Sequence, residues 1–450
     1  MKPSSEIPRP AGSLVANSLR FAKNTMQFYE DAFRECGDIF ATRIPGLGNW
    51  VYICSPELVR TLLAAPSEAL GGDLGAFSLV HVLGSGATSH LEGAAHKERR
   101  EVTCPHLNLQ GSLRYVDDIR TITERRIAGW PVGKPFPLVL ELQKVALESL
   151  IKVFFAGADP DKVRELADLY EDFSFKGLRS PTVSHPSLQF NFPGSPWRGV
   201  QKRQREVVRV FSQAIQERLA SGASPGASQE PIDIVLAMGR AQLADGSRIS
   251  QDVILAEILD LLFQGHELTG DSMTWTMGEL IANPAVLTRL REELASVVGA
   301  EGIKSAHLPR LPYLEAVVYE GLRRRPTNLA TSVRKVKQPL EMGGYLLPEG
   351  TLVAICYPAL SVREDLFPNP KSFDPDHFLG KPVPAEVWSP FGVGAQACAG
   401  QDLALVILKT ALATVAAKAE LKLAQDEVRP VRNAYYYEPN KGLLVTQAKR

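Results

Sequence analysis

The sequence predicts one large, mainly α fold with a small β-rich region. Helical apolar periodicity runs through most of residues 93–448. Strand-like alternation is confined mainly to 38–54, 344–355 and 434–445. No internal repeat, low-complexity segment or linker divides the 450 residues, so 1–450 is expected to form a single domain. Length alone would suggest about three domains of ~150 residues, a weak prior that one large fold overrides.

Taken in order, residues 1–12 are polar and proline-containing, without the apolar core of a signal peptide. No segment offers a run of ~18 apolar residues, so a cytoplasmic protein with no membrane anchor is expected. Residues 38–54 read as a hairpin about the turn-rich Pro45-Gly46-Leu47-Gly48-Asn49. Ser55-Pro56-Glu57 then opens a helix, with serine as N-cap and proline at the first helical position. Two loops stand out: 180–197, rich in proline, serine and aromatics, and 221–231, rich in glycine, serine and proline. Hydrophobic content of 45% and charged content of 22% are those of a globular chain. Basic and acidic residues both total 50, which gives no support to nucleic-acid binding.

Five cysteines are scattered without a CxxC pair, which argues against a disulfide framework or a zinc site. Cys36, Cys54, Cys104 and Cys356 read as small buried hydrophobes. Cys398 differs. It lies in Ser389-Pro-Phe-Gly-Val-Gly-Ala-Gln-Ala-Cys-Ala-Gly400, ahead of a long apolar helical run. Glycines at 392, 394 and 400 imply tight turns and close backbone approach. A cysteine just before a helix, near loop N–H groups, favours thiolate over thiol. Phe391 can shelter the sulfur, and a sheltered, N–H-bonded thiolate suits an axial haem ligand.

Phe391-x-x-Gly394-x-x-x-Cys398-x-Gly400 resembles the haem-binding loop of the cytochrome P-450 family. Three further signatures occur in family order. Glu320-Gly-Leu-Arg323 resembles the ExxR motif of the K helix, whose i, i+3 spacing lets the two side chains pair. Phe373-Asp-Pro-Asp-His-Phe378 resembles the PERF-type segment. Phe263-Gln-Gly-His-Glu-Leu-Thr269 resembles the oxygen-binding stretch of the I helix. The resemblance covers roughly 37–447 and implies a P-450-type fold with haem b between the I and L helices. It implies Cys398 as iron ligand, and His96, Arg100 and Arg334 as contacts to the haem propionates. Phe391, Gly394, Gln396 and Gly400 are implied as the other cofactor-binding positions of the loop. Phe263, Gln264, Leu268, Leu329 and Thr331 are implied as substrate contacts, with 76–82 contributing from the loop before the C helix. Glu320, Arg323 and His377 are implied as structural.

Three positions depart from the family pattern. Gln396 replaces a usual arginine or histidine, so it can hydrogen-bond a propionate but brings no charge. His377 replaces the PERF-type arginine and can still bond Glu320. Leu268 replaces the I-helix threonine that helps deliver protons during oxygen activation. Thr269, one residue on, is about 100° round the helix and would turn inward only if the helix unwound near Gly265. Glu267 retains the family acid, so Glu267 and Thr269 are the catalytic candidates.

The resemblance therefore implies a haem-thiolate monooxygenase of the soluble bacterial type, hydroxylating or epoxidising a terpenoid, steroid, fatty acid or polyketide in secondary metabolism. Electrons are expected from a ferredoxin or flavodoxin with its NAD(P)H reductase, and the protein is expected to be a monomer. Leu268 keeps open a peroxygenase, a non-oxidative rearrangement or dehydration catalyst, and a non-catalytic haem carrier or ligand sensor.

Overall fold

The computed structural model describes residues 1–44, 48–72, 79–222, 233–432 and 436–448. Residues 45–47 of the hairpin turn, 76–78 of the loop before the C helix, 223–231 of the glycine-rich loop and 434–435 of the last strand-like run lie outside them. Residues 1–77 with 319–398 pack as one compact unit, and 78–318 with 399–450 as a second.

In the first unit, short alternating runs pair into a four-stranded sheet. Its order is Ile39–Ile44, Gly48–Ile53, Leu352–Cys356, Ala330–Lys335. Phe40 faces Tyr52 across the antiparallel hairpin, Val51 faces Val353 in the parallel central pair, and Thr331 faces Ile355 antiparallel at the edge. Leu352–Cys356 is buried at every position, which explains its unbroken apolar run: a strand covered on both faces has no polar side to alternate with. Ser55 caps helix Pro56–Ala64 by accepting the Leu58 N–H at 3.4 Å, with Pro56 at its start. A smaller sheet joins Lys2–Pro3, Tyr345–Leu347 and Leu340–Met342.

Strand Ala330–Lys335 lies outside the β regions expected from sequence. Its register shifts between Thr331 and Arg334, and Ser332 sits at φ 50°, a left-handed conformation unusual for serine. This bulge breaks the two-residue pleat, so the alternation that marks a strand is absent.

The second unit is mainly helical and built on Gln251–Ala282, a 32-residue helix capped by Ser250. Most of it is buried, which erases the polar stripe of a surface helix. It runs without interruption through Gly265, so the unwinding that would turn Thr269 onto the face of Leu268 is absent. Thr269 is buried in place. Helix Leu138–Phe154 packs directly against the long helix, and two glycines set the approach. A Cβ on Gly265 would stand 2.9 Å from a Leu150 methyl, and one on Gly270 only 2.6 Å from Gln143 Cα. Gly270→Ala gains about 1 kcal/mol of helix propensity but forces two backbones apart. Overpacking of that kind costs about 1–3 kcal/mol. A net loss of about 0–2 kcal/mol is expected in urea denaturation.

The C-terminal strands of this unit are short: Leu444–Gln447 pairs with Phe136–Pro137 and Leu421–Leu423, and Pro430–Arg432 with Tyr437–Pro439. The proline-rich stretch 180–197 contains the short helical turns Pro181–Ser184 and Pro186–Leu188 before helix Pro196–Gly222 begins. No described helix is long and apolar enough to cross a membrane.

Candidate active site

The cysteine loop is held from within the first unit. Gly392 and Gly394 adopt φ 70° and 77°, the left-handed region where a side chain is strained. Gly392 also has no room for one, since a Cβ would meet Ser332 Oγ at 2.9 Å. The bulge in Ala330–Lys335 has a purpose here: Ser332 Oγ accepts the Val393 N–H at 2.7 Å, and buried Arg334 reaches the Val393 carbonyl at 3.4 Å. On the other flank, the Trp388 indole donates to the Tyr319 carbonyl at 3.2 Å and lies tilted against its ring at 4.3 Å, with Phe391 edge-on to Trp388 at 6.1 Å. The Cys398 N–H closes the turn on the Phe391 carbonyl at 2.9 Å, and the cysteine side chain is exposed. Gln396 ends the 3-10 turn Gly394–Gln396 and is half-buried.

Glu320 and Arg323, on helix Pro312–Arg324, form a buried bidentate pair with both bonds at 2.7 Å. The rest of the guanidinium donates to the carbonyls of Ser361 (2.6 Å), Pro370 (2.9 Å) and Ser372 (3.2 Å). Asp374 N–H and His377 Nδ1 also reach Glu320 Oε1, at 2.9 and 3.2 Å, and His377 Nε2 bonds the Pro368 carbonyl at 2.7 Å. Burial pushes Glu320 up, but the bonds from Arg323 and His377 outweigh it and leave its pKa below the ordinary value. Burial likewise pulls His377 down, and its bonds to Glu320 and Pro368 reverse that. One carboxylate thus ties helix Pro312–Arg324 to the 374–377 segment, and its partner Arg323 reaches the Ser361, Pro370 and Ser372 carbonyls.

In the second unit, helix Gly93–Leu107 buries His96 and leaves Arg100 half-buried. Arg99 between them is also buried and donates to the Gly86 carbonyl at 3.1 Å, tying down the segment ahead of the helix.

The long helix carries two separate carboxylate systems. Buried Glu267 accepts from Ser174 Oγ at 2.7 Å and from Arg179 Nε at 3.2 Å. Arg179 Nη2 lies 3.2 Å from Glu267 Oε2, close enough for ion pairing although the atoms are not aligned for a hydrogen bond. Arg179 is further bracketed by Glu438 at 3.8 Å and by the Phe175 ring at 4.4 Å. His266 is buried against Tyr170, and burial lowers its pKa.

The second system, one face round, was not among the candidates. Glu257 accepts the Thr88 N–H at 2.6 Å and the Thr88 hydroxyl at 2.8 and 2.9 Å. Asp260 Oδ2 accepts Ser89 Oγ at 2.7 Å and Gln264 Nε2 at 2.6 Å. Burial raises both pKa values, that of Glu257 to about 7 against the bonds from Thr88. Only an acidic i, i+3 pair inside an apolar helical run could have signalled it. A folded pKa raised from the ordinary 4.5 means the native state binds the proton more tightly, so Glu257 costs stability as pH rises from ~4.5 to about 7 and no more above it. Glu257→Gln is therefore expected to be close to neutral at pH 5. At pH 8 it should raise unfolding free energy by on the order of 3 kcal/mol, read from denaturation at the two pH values.

Each unit by itself carries groups of the kind a haem requires: the first has exposed Cys398 on its glycine loop and buried Arg334, and the second has buried His96 and half-buried Arg100 on one helix.

Comparison with known proteins agrees. The Cytochrome P450 family profile matches residues 7–445. Cytochrome P450 135B1 of Mycobacterium tuberculosis is 26% identical over 441 residues, spanning 97% of this chain and 90% of its own. Cytochrome P450 137 of the same organism is 27% identical over 444 residues, spanning 98% and 90%. Among solved structures, the retinoic acid-bound cyanobacterial CYP120A1 superposes with a TM-score of 0.79 at 21% identity over 96% of each chain. A mutant cytochrome P450 haem domain superposes with 0.82 at 19% identity, covering 100% of this chain and 98% of its own. With the family profile spanning both units, the chain belongs to the cytochrome P450 family, the haem b-containing monooxygenases.

Proposed function

We propose that this cytochrome P450 hydroxylates or epoxidises a mostly apolar small molecule, a terpenoid, steroid, fatty acid or polyketide, with electrons from a ferredoxin or flavodoxin and its NAD(P)H reductase. Cys398 is the axial ligand, and His96, Arg100, Arg334 and Gln396 hold the propionates. Haem b, when bound, supplies the oxygen activation; the chain supplies binding, orientation, water exclusion and protons. From the long helix, Phe263, Gln264 and Leu268 contact substrate, and from the strand after the K-type helix, Leu329 and Thr331 do so.

The observation that carries oxygen activation is Glu267. Its carboxylate is buried and tied to Ser174 and Arg179, on the helix where the family places its acid. Proton transfer by a positioned side chain contributes typically 10²–10⁴-fold. Glu267→Gln keeps the Ser174 bond and removes the acid. It is expected to slow product formation by about 10²-fold while substrate Kd stays within about twofold, measured with ferredoxin, reductase and NADPH. Unchanged turnover would contradict the role.

Leu268 supports a second reading. With Thr269 buried elsewhere on an unbroken helix, no threonine hydroxyl takes the usual place. A peroxygenase would make more product with hydrogen peroxide than with NADPH and redox partners; a monooxygenase would do the reverse. Product from neither source would favour a rearrangement catalyst or a haem sensor.

A further inference from the structure

Residues Glu257, Asp260, Gln264 and Leu268 follow one another at helical spacings of three, four and four, and so share one face of the long helix. Gln264 and Leu268, with Phe263 next in sequence, are the substrate contacts proposed above for this helix. Two ionisable groups on such a face are costly unless hydrogen-bonded, and each has donors. Thr88 closes over Glu257 with three contacts, and Ser89, the next residue, caps Asp260.

The remaining member is different. Gln264 is exposed and donates its amide N–H to Asp260 Oδ2 at 2.6 Å. That oxygen also takes the Ser89 hydroxyl, so two donors converge on it. The amide nitrogen is therefore fixed on the carboxylate, and the amide oxygen, Oε1, is turned away from it. Among the described residues, Oε1 has no hydrogen-bond partner. Hydrogen bonds in series polarise one another, so an amide whose N–H is held by a carboxylate is a stronger acceptor at its oxygen. The result is a neutral acceptor on the same helix face as Leu268, one turn before it.

We propose that Gln264 Oε1, fixed by Asp260 and Ser89, accepts a hydroxyl group of the substrate, so that this chain selects an alcohol-bearing apolar molecule over the corresponding hydrocarbon skeleton. The charges of Glu257 and Asp260 are already answered by Thr88, Ser89 and Gln264, which leaves a neutral carbonyl rather than a carboxylate to meet the ligand. That favours an alcohol over an ammonium group. A site built to bond a hydroxyl also rejects the analogue without it, because the acceptor is then left unpaired on substrate binding.

This inference rests on the monooxygenase reading above, and calorimetric titration of the holoenzyme separates the two. The probes are three pairs differing by one hydroxyl: borneol and camphane, 3β-hydroxy-5α-androstan-17-one and 5α-androstan-17-one, 12-hydroxydodecanoic and dodecanoic acid. For the pair that fits, the alcohol is expected to bind about tenfold more tightly. Gln264→Leu should bring that ratio to about one, chiefly by weakening the alcohol, and Asp260→Ala should lower it by releasing the amide. Tight binding without a hydroxyl preference, or a preference that Gln264→Leu leaves intact, overturns the inference while the monooxygenase reading stands. Tighter binding of the 3β-amino steroid than of the alcohol also overturns it, placing recognition on Asp260 instead. Binding of no member of any pair contradicts the apolar substrate reading itself, and this inference with it.

Discussion

Cys398→Ser is expected to reduce monooxygenase turnover by on the order of a thousandfold or more, equivalent to about 4 kcal/mol in the barrier. The fold should survive. The side chain is exposed, and the turn is closed by the Cys398 N–H on the Phe391 carbonyl, a backbone bond that serine keeps. The loop's shape comes from elsewhere: left-handed Gly392 and Gly394, the Ser332 hydroxyl and the Trp388 indole. What serine removes is the sulfur, which as an axial thiolate would push electron density toward a bound haem iron. Circular dichroism matching the wild type, together with lost product formation, is the expected pair of results.

Arg323→Ala should act the other way, through the fold. Its guanidinium holds Glu320 in a bidentate bond and three backbone carbonyls, all in a buried site. Removing one partner of a buried pair costs about 3–5 kcal/mol, because the other is left charged and unanswered. Against total stabilities of about 5–15 kcal/mol, that endangers folding at ordinary temperature. The pH dependence carries the signature. Glu320 has a folded pKa held below the ordinary 4.5, so its contribution is present above ~4.5 and is lost as pH falls through the depressed value. Wild type should lose stability on acidification through this window. Arg323→Ala should start lower at pH 7 and show a shallower acid decline, as read from urea denaturation between pH 7 and pH 3.

The contrast between what the chain reveals as text and what it reveals in space follows from chain distance. The cysteine loop was readable because its glycines report backbone conformation directly. The Glu320–Arg323 pair was readable because i, i+3 spacing on a helix nearly fixes the contact. The hairpin and the Ser55 cap were readable for the same local reason. Ser332 was not: its value lies in an irregular φ and a bond to Val393, 61 residues away, and the bulge that creates it also hides the strand. Arg179 and Ser174 meet Glu267 from 88 and 93 residues away, and Thr88 meets Glu257 across 169. No periodicity encodes such meetings. Gln264 was marked in the sequence only as a substrate contact implied by the resemblance; its bond to the Asp260 carboxylate, which holds one end of the amide, appears only in the structure.

The central claim is that Cys398 places a thiolate on haem iron, and one spectrum tests it. Wild-type protein, reduced and saturated with carbon monoxide, should absorb at the long wavelength characteristic of thiolate ligation, and Cys398→Ser should lack that band while Cys104→Ser keeps it. A wild-type spectrum of the histidine-ligated kind, or a Cys398→Ser spectrum identical to wild type, would contradict the assignment.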